Sequence, residues 1–218
     1  GRGSRLNKLT ENKNKSMLKL FEKPLIEYNL EHAFEAGINE IIIVVGYKKE
    51  EIIRYFGNEY KSIKITYVVQ KEQKGLVHAI ECAKTAINQD DFFLFLGDEL
   101  MINSRQPEML EKFQNEKLFA VCGVIKVDNP NLISRTYGIR EENGFIAELV
   151  EKPDPASIEQ GKVVKDIMGT GNCVFRNSIF SYIEKTPINP KRGEKELPDL
   201  IRTAVEDGKL VKSFLVCD

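Results

Sequence analysis

From Leu25 to Asp98 the chain alternates helical and extended patterns, and that rhythm narrows the choice of fold more than any other feature. Ile26, Leu30, Ala33 and Phe34 share one face of a helix predicted from Leu25 to Ala36, and Gly37 stops it. Ile41 to Val45 is an unbroken β-branched run, read as a strand covered on both faces and ended by Gly46-Tyr47. Lys49 to Phe56 reads as a second helix. Ile63 to Val69, interrupted by Lys64 and Thr66, reads as a strand that ends at Gln70. A helix from Leu76 to Ile87 and a strand from Phe92 to Leu96, closed by Gly97-Asp98, complete the series. Strands and helices in this order imply βαβ units around a parallel sheet. Ligands of such sheets bind at the carboxyl ends of the strands, where Gln70 and Asp98 stand.

The second half has a different texture. Leu118 to Val127 is strand-like, and Tyr137 to Arg140 and Gly144 to Val150 frame an Asn143-Gly144 hairpin signal. Lys162 to Phe175 reads as extended. Helices are predicted from Ser178 to Lys185 and from Pro198 to Glu206, followed by a strand from Leu210 to Val216. Pro198 suits a first helical turn, where its missing N–H costs nothing. This half is expected to complete the same sheet.

A chain of 218 residues is long enough for one good-sized α/β domain with a real core. With 32 basic against 33 acidic residues, no global field draws it to nucleic acid or a membrane surface. Any anion site must be a local cluster. Cys82, Cys122, Cys173 and Cys217 are widely spaced with no C-x-x-C pair, so reduced, mostly buried thiols are expected, not zinc ligands. There is no run of membrane-spanning length and no signal-peptide pattern, which predicts a cytoplasmic protein.

The opening residues supply a local cluster. Gly1 and Gly3 bracket a short turn followed by Ser4 and Arg5, with Lys15 further on. Glycines let successive N–H groups approach a ligand and form a positively polarised nest for phosphate oxygens. Arg5 adds a planar fork of donors and Lys15 a compact charge on a long stem. Leu6 stands where a Rossmann fingerprint would need its third glycine, so that pattern is excluded.

GRGSRLNKLT…NKSMLKLFEKPLIEY resembles the opening of the sugar-1-phosphate nucleotidyltransferases, the NDP-sugar pyrophosphorylases. Asn14 departs from that family's pattern by replacing a proline, which is expected to loosen the loop. Four further segments resemble the family in the same order: QKEQKGLVHAI, FLGD, YGIREENGFIAELVEKP with GTGNCVF, and GEKELPDLI. Cys173 replaces an aromatic and Pro198 a threonine.

The resemblance implies an α/β fold with a Rossmann-like, mixed and mostly parallel sheet flanked by helices, of the nucleotide-diphospho-sugar transferase type. It implies one domain over residues 1–218, with a nucleotide-binding half to about residue 117 and a sugar-binding half over 118–218. It also implies a strand before Gly1 and further residues after Asp218, so the chain is expected to be truncated at both ends. Arg5, Lys15 and Asp98 are the implied catalytic residues, with Asp98 a Mg2+ ligand. Gly1, Gly3, Ser4, Gln70 and Gly75 would meet the nucleotide; His78, on the first turn of the following helix, is expected to be a structural imidazole that at most supports the site from behind. Gly138, Glu151, Lys152, Gly171 and Glu194 would meet the sugar phosphate. Asp218 is a tempting second metal ligand, but the chain reaches it too soon after Leu210, so it is not assigned.

The activity implied is transfer of a nucleotidyl group from an NTP, UTP or dTTP before others, to a sugar 1-phosphate, with release of pyrophosphate. Small molecules, neither nucleic acid nor membrane, are the expected partners, and a homo-oligomer is left open. Two alternatives stand beside it: a phosphocholine-type cytidylyltransferase, and a non-catalytic, nucleotide-sensing subunit of the same fold.

Overall fold

The computed structural model describes residues 13–217; Gly1, Gly3, Ser4, Arg5 and Asp218 lie outside them. The chain divides into two compact units. Among the described residues, one holds everything up to Asn88 together with Phe95–Met101, and the other holds Gln89–Leu94 and everything from Ile102 onward.

The first unit begins with a short hairpin of β1 (Lys19–Leu20) and β2 (Lys23–Pro24). Pro24 then leads into α1 (Leu25–Glu35), and Gly37, with φ of 73°, ends it as a left-handed stop. β3 (Glu40–Val45), α2 (Lys49–Phe56) and β5 (Ile63–Val69) form a βαβ unit whose strands pair in parallel, Val45 opposite Val69. β4 (Glu59–Tyr60) folds back antiparallel on β5, giving the sheet order β3-β5-β4. α3 (Gly75–Ile87) packs on β3 and β5. Ile26, Leu30, Ile43, Ile52, Phe56 and Ile65 are among the residues of one buried cluster. The expectation that β3 is covered on both faces needs correction. Ile41, Ile43 and Val45 are buried, whereas Ile42 and Val44 are only half-buried. Among the described residues β3 is an outer strand of the three-stranded sheet.

The second unit contains β6 (Phe92–Leu94), α4 (Gln106–Asn115), β7 (Ala120–Lys126), β8 (Tyr137–Glu142), β9 (Phe145–Glu151), α5 (Pro155–Glu159), β10 (Ile167–Phe175), α6 (Leu197–Glu206) and β11 (Val211–Leu215). Its main sheet has the order β11-β7-β10-β6. β7 and β11 are parallel, and β10 runs antiparallel to both β7 and β6. The extended stretch predicted from Lys162 becomes a strand only at Ile167, and the helix predicted from Ser178 is a 3-10 turn over Asn177–Tyr182. α4 was not predicted; Met109 and Phe113 on one face, with buried Gln106 one turn earlier, hold it to the core. The β8–β9 hairpin turns at Asn143-Gly144 with φ of 53° and 76°, the double positive φ that such a turn demands.

α6 shows why packing outweighs propensity here. Leu197, Leu200, Ile201 and Ala204 recur at helical spacing, are all buried, and pack α6 on β9. Full burial of one such leucine or isoleucine contributes about 2 kcal/mol. Between β8 and β10 the backbone approach is extreme. A Cβ built on Gly169 would lie 2.1 Å from the Tyr137 ring, whose hydroxyl donates to Thr170 O at 3.1 Å. All four cysteines are free, with Cys122 and Cys173 facing each other across β7 and β10. Among the described residues no helix is long and apolar enough to cross a membrane.

Candidate functional site

In the first unit the chemistry gathers around Lys15 and the turn carrying Asp98. Lys15 opens a single 3-10 turn, Lys15–Met17, whose cap is Asn14. Asn14 Oδ1 accepts from Ser16 N at 3.0 Å, its Nδ2 donates to Tyr47 O at 2.8 Å, and its own N–H donates to Glu51 Oε2 at 3.0 Å. The residue expected to loosen this loop therefore ties it down; an asparagine offers donors and an acceptor where a proline offers neither. Lys15 Nζ pairs with Asp98 Oδ2. Gly97 allows the approach, since a Cβ there would lie 3.1 Å from Ser16 Oγ.

The Asp98 turn is fixed from below by a residue that the sequence did not single out. Asn29, buried on α1, donates through Nδ2 to Leu96 O at 3.0 Å and to Glu99 O at 2.9 Å. The two carbonyls flank Asp98, so the side chain is presented on a braced turn.

At the end of β5, Gln70 Nε2 donates to Gly75 O at 3.0 Å and lies 3.0 Å from His78 Nδ1. A carbonyl can only accept, so the amide NH2 must face Gly75. Its second hydrogen then points at His78 Nδ1, which places the imidazole proton on Nε2, facing Cys82 Sγ at 3.7 Å. Both Gln70 donors are thus engaged within the protein, while Oε1 accepts no hydrogen bond among the described residues. His78 thus contacts both Gln70 and Cys82, as a satisfied imidazole. Gly75 has φ of 88°, a conformation for which glycine is suited, and it opens a helix without a side-chain cap.

In the second unit, β9 delivers Glu151 and the chain turns sharply at Lys152. Lys152 adopts φ of 44° immediately before Pro153, and its N–H donates to Thr136 O at 2.7 Å. Non-glycine residues in this region carry strain that is commonly found at functional positions. Lys152 Nζ lies 2.5 Å from Glu151 Oε1.

The loop after Ile188 closes on Asn189. Asn189 N donates to Glu194 O at 2.9 Å, while Asn189 O accepts from Gly193 N at 2.8 Å. This reversal turns Arg192 into a cluster: its Nη2 lies 2.5 Å from Glu194 Oε1, Nε 2.9 Å from Glu196 Oε1, and Nη1 3.7 Å from Glu151 Oε1. Arg192 and Glu196 were not singled out; Arg192 immediately precedes the GEKEL segment, and Glu196 is its second glutamate, to which no role was given. Burial raises the Glu196 pKa above its ordinary value, the Glu151 and Glu194 carboxylates push the same way, and Arg192 and Lys152 only partly oppose them. Three carboxylates therefore face two cations.

The two glycines expected in this half stand differently. Gly138 lies opposite Val150 in the hairpin that carries Glu151, and a Cβ on it would come within 2.8 Å of Val163. Packing alone requires a glycine there. Gly171 is buried within the irregular part of β10, between Thr170, which donates to Gly123 O, and Asn172, which accepts from Gln106. The structure thus pairs Glu151 with Lys152, links Glu194 to them through Arg192, and brings Gly138 in through the hairpin.

Among the described residues, no three His, Cys, Asp or Glu side chains converge as a metal cage. Asp98 is a single, part-exposed carboxylate. That donor set fits Mg2+, which keeps most of its waters and binds one or two carboxylates together with substrate phosphates.

The sequence profile of the nucleotidyl transferase family matches residues 1–218, and the chain belongs to that family. It is 33% identical over 222 residues to the low-salt glycan biosynthesis nucleotidyltransferase Agl11 of Haloferax volcanii, covering 99% of this chain and 58% of Agl11. The chain thus spans little more than half the length of that relative. It is 31% identical over 218 residues to UTP–glucose-1-phosphate uridylyltransferase AglF of the same organism, covering 99% of this chain and 85% of AglF. A solved UDP-glucose pyrophosphorylase complexed with UDP-glucose superposes with a TM-score of 0.85 at 28% identity, over 100% of this chain and 88% of that one. The fold is the α/β, Rossmann-like one that the sequence predicted.

Proposed function

We propose that the protein transfers a nucleotidyl group from UTP or dTTP to a sugar 1-phosphate and releases pyrophosphate. The observation that carries this reading is the Glu151–Lys152–Arg192–Glu194 cluster. It offers two cations to a phosphate and carboxylate acceptors to sugar hydroxyls within one small region. AglF, whose name specifies UTP and glucose 1-phosphate, supports the same substrates.

In the reaction a sugar-phosphate oxygen attacks the α-phosphorus, and pyrophosphate leaves from the opposite side. Such transfer asks for positioning and charge neutralisation more than for acid–base groups. Lys15 and Arg5 serve the triphosphate, and Lys152 and Arg192 serve the sugar phosphate. At an effective dielectric near 20, one lysine about 4 Å from a phosphate oxygen is worth roughly 4 kcal/mol before desolvation. Asp98 would hold Mg2+, which when bound supplies further charge neutralisation on the phosphates. Lys15 keeps the Asp98 carboxylate paired until then.

Base choice follows from Gln70. Its free Oε1 accepts, which suits the N3–H donor of uracil or thymine and not the N3 acceptor of cytosine. The deciding experiment is pyrophosphate release from a panel of NTPs, with and without sugar 1-phosphates. Release from UTP or dTTP that depends on a sugar 1-phosphate supports the proposal. Nucleotide binding with no release under any pairing would favour the non-catalytic alternative.

A further inference from the structure

Glu196 occupies the position before α6 that normally caps a helix, yet its side chain makes no capping bond. It turns back to Arg192, where Oε1 lies 2.9 Å from Nε. Oε1 is nevertheless buried without an aligned hydrogen bond, because the guanidinium is drawn by Nη2 towards Glu194 and by Nη1 towards Glu151. A buried carboxylate oxygen left in this state is costly, and a small rotation of the guanidinium would satisfy it.

We propose that Glu196 is a positioning residue for Arg192: it holds the guanidinium through Nε while a sugar phosphate takes Nη1 and Nη2 from Glu151 and Glu194. The inference rests on the sugar-1-phosphate reading of this cluster and assigns each contact a fate. The phosphate exchanges places with two carboxylates, which are thereby released to accept sugar hydroxyls. Glu196 is the partner that stays. It is the least exposed of the three carboxylates, its side chain 10% accessible against 14% for Glu151 and 19% for Glu194. It also faces the one guanidinium nitrogen that leaves the outer pair free for a bidentate grip. The charged groups facing it are Glu151 and Lys152 at the end of β9 and Arg192 and Glu194 on the loop.

The test is a double-mutant cycle on Glu196→Ala and Arg192→Lys, with Glu196→Gln as the conservative variant. Affinities for glucose 1-phosphate, inorganic phosphate and UTP are measured calorimetrically, together with kinetics of pyrophosphate release. Glu196→Ala should weaken glucose 1-phosphate roughly tenfold, leave UTP unchanged and raise the sugar-phosphate KM more than it lowers kcat. Glu196→Gln should fall between wild type and Glu196→Ala, since its amide oxygen can accept from Nε once the guanidinium turns towards it, without the carboxylate's charge. In the Arg192→Lys background, Glu196→Ala should add almost nothing. Additive losses, or an equal loss of UTP affinity, would overturn the proposal. If no sugar 1-phosphate binds while the cycle on inorganic phosphate stays non-additive, the substrate reading fails and the positioning role stands.

Discussion

Lys15 Nζ and Asp98 Oδ2 are paired across 83 residues of sequence. One is a cation on a long stem and the other a carboxylate, so each offsets the other's charge. Lys15→Ala should lower kcat on the order of a hundredfold or more, as when a preorganised charge donor is removed. Asp98→Asn should abolish Mg2+-dependent turnover. Steady-state pyrophosphate release checks both, and an unchanged kcat with only a raised UTP KM in Lys15→Ala would defeat the idea.

Asn29 braces the Asp98 turn through two buried hydrogen bonds. Asn29→Ala leaves the Leu96 and Glu99 carbonyls without that donor and should cost about 2 kcal/mol of stability. Denaturant unfolding measures the loss. Turnover should fall in the folded variant as well, because the turn that presents Asp98 is no longer held.

If the proposed sugar-phosphate role holds, Lys152→Ala and Glu151→Gln should act on that substrate. Its KM should rise about tenfold in each, while the nucleotide KM stays within twofold of wild type. A parallel collapse of nucleotide affinity would show that the cluster does not serve the sugar phosphate alone.

Gln70→Ala removes the acceptor that the proposal assigns to the base. The UTP KM should rise about tenfold and the preference for UTP over CTP should shrink, because discrimination by a hydrogen-bonding site is lost with the group that makes it. Initial rates on the two nucleotides decide this. Undiminished discrimination would move base recognition elsewhere.

Stability and binding should part company at Glu196. Its folded pKa lies above the ordinary carboxylate value of 4.5, chiefly through burial. Proton binding therefore stabilises the fold, and this contribution is complete below the unfolded pKa and lost as pH rises through the folded one. Glu196→Gln, always neutral, should melt higher than wild type at neutral pH, with the gap closing towards pH 4.5. A melting temperature that drops at neutral pH would mean that the carboxylate is a net stabiliser.

Sequence periodicity located α2 and β5 to the residue, because Ile52 and Phe56 in one and Ile63 and Ile65 in the other keep strict spacing towards a single buried cluster. The pairs Glu151-Lys152 and Gly97-Asp98 stood out in the sequence through the family resemblance, at the ends of strand-like runs. Arg192 and Asn29 were not. The role of Arg192 depends on the chain reversing at Asn189, a tertiary event with no periodic signature. Asn29 sits three residues after Ile26 and four before Ala33, on the apolar face of α1, where it looks like an interruption of the pattern. Its burial shows that it belongs to that face, and its two backbone partners, 67 and 70 residues away, lie beyond any local window.

The contact between Gly169 and Tyr137 bears on how a mutational map of this protein would read. Any side chain at position 169 must displace the aromatic ring, and with it the hydroxyl that anchors Thr170. Position 169 should therefore be among the least tolerant in a saturation screen, level with Lys15 and Asp98. Yet its variants would fail by never accumulating as folded protein, whereas Lys15 and Asp98 variants would accumulate and stay silent. An abundance assay run beside the activity assay would sort the two kinds of intolerance.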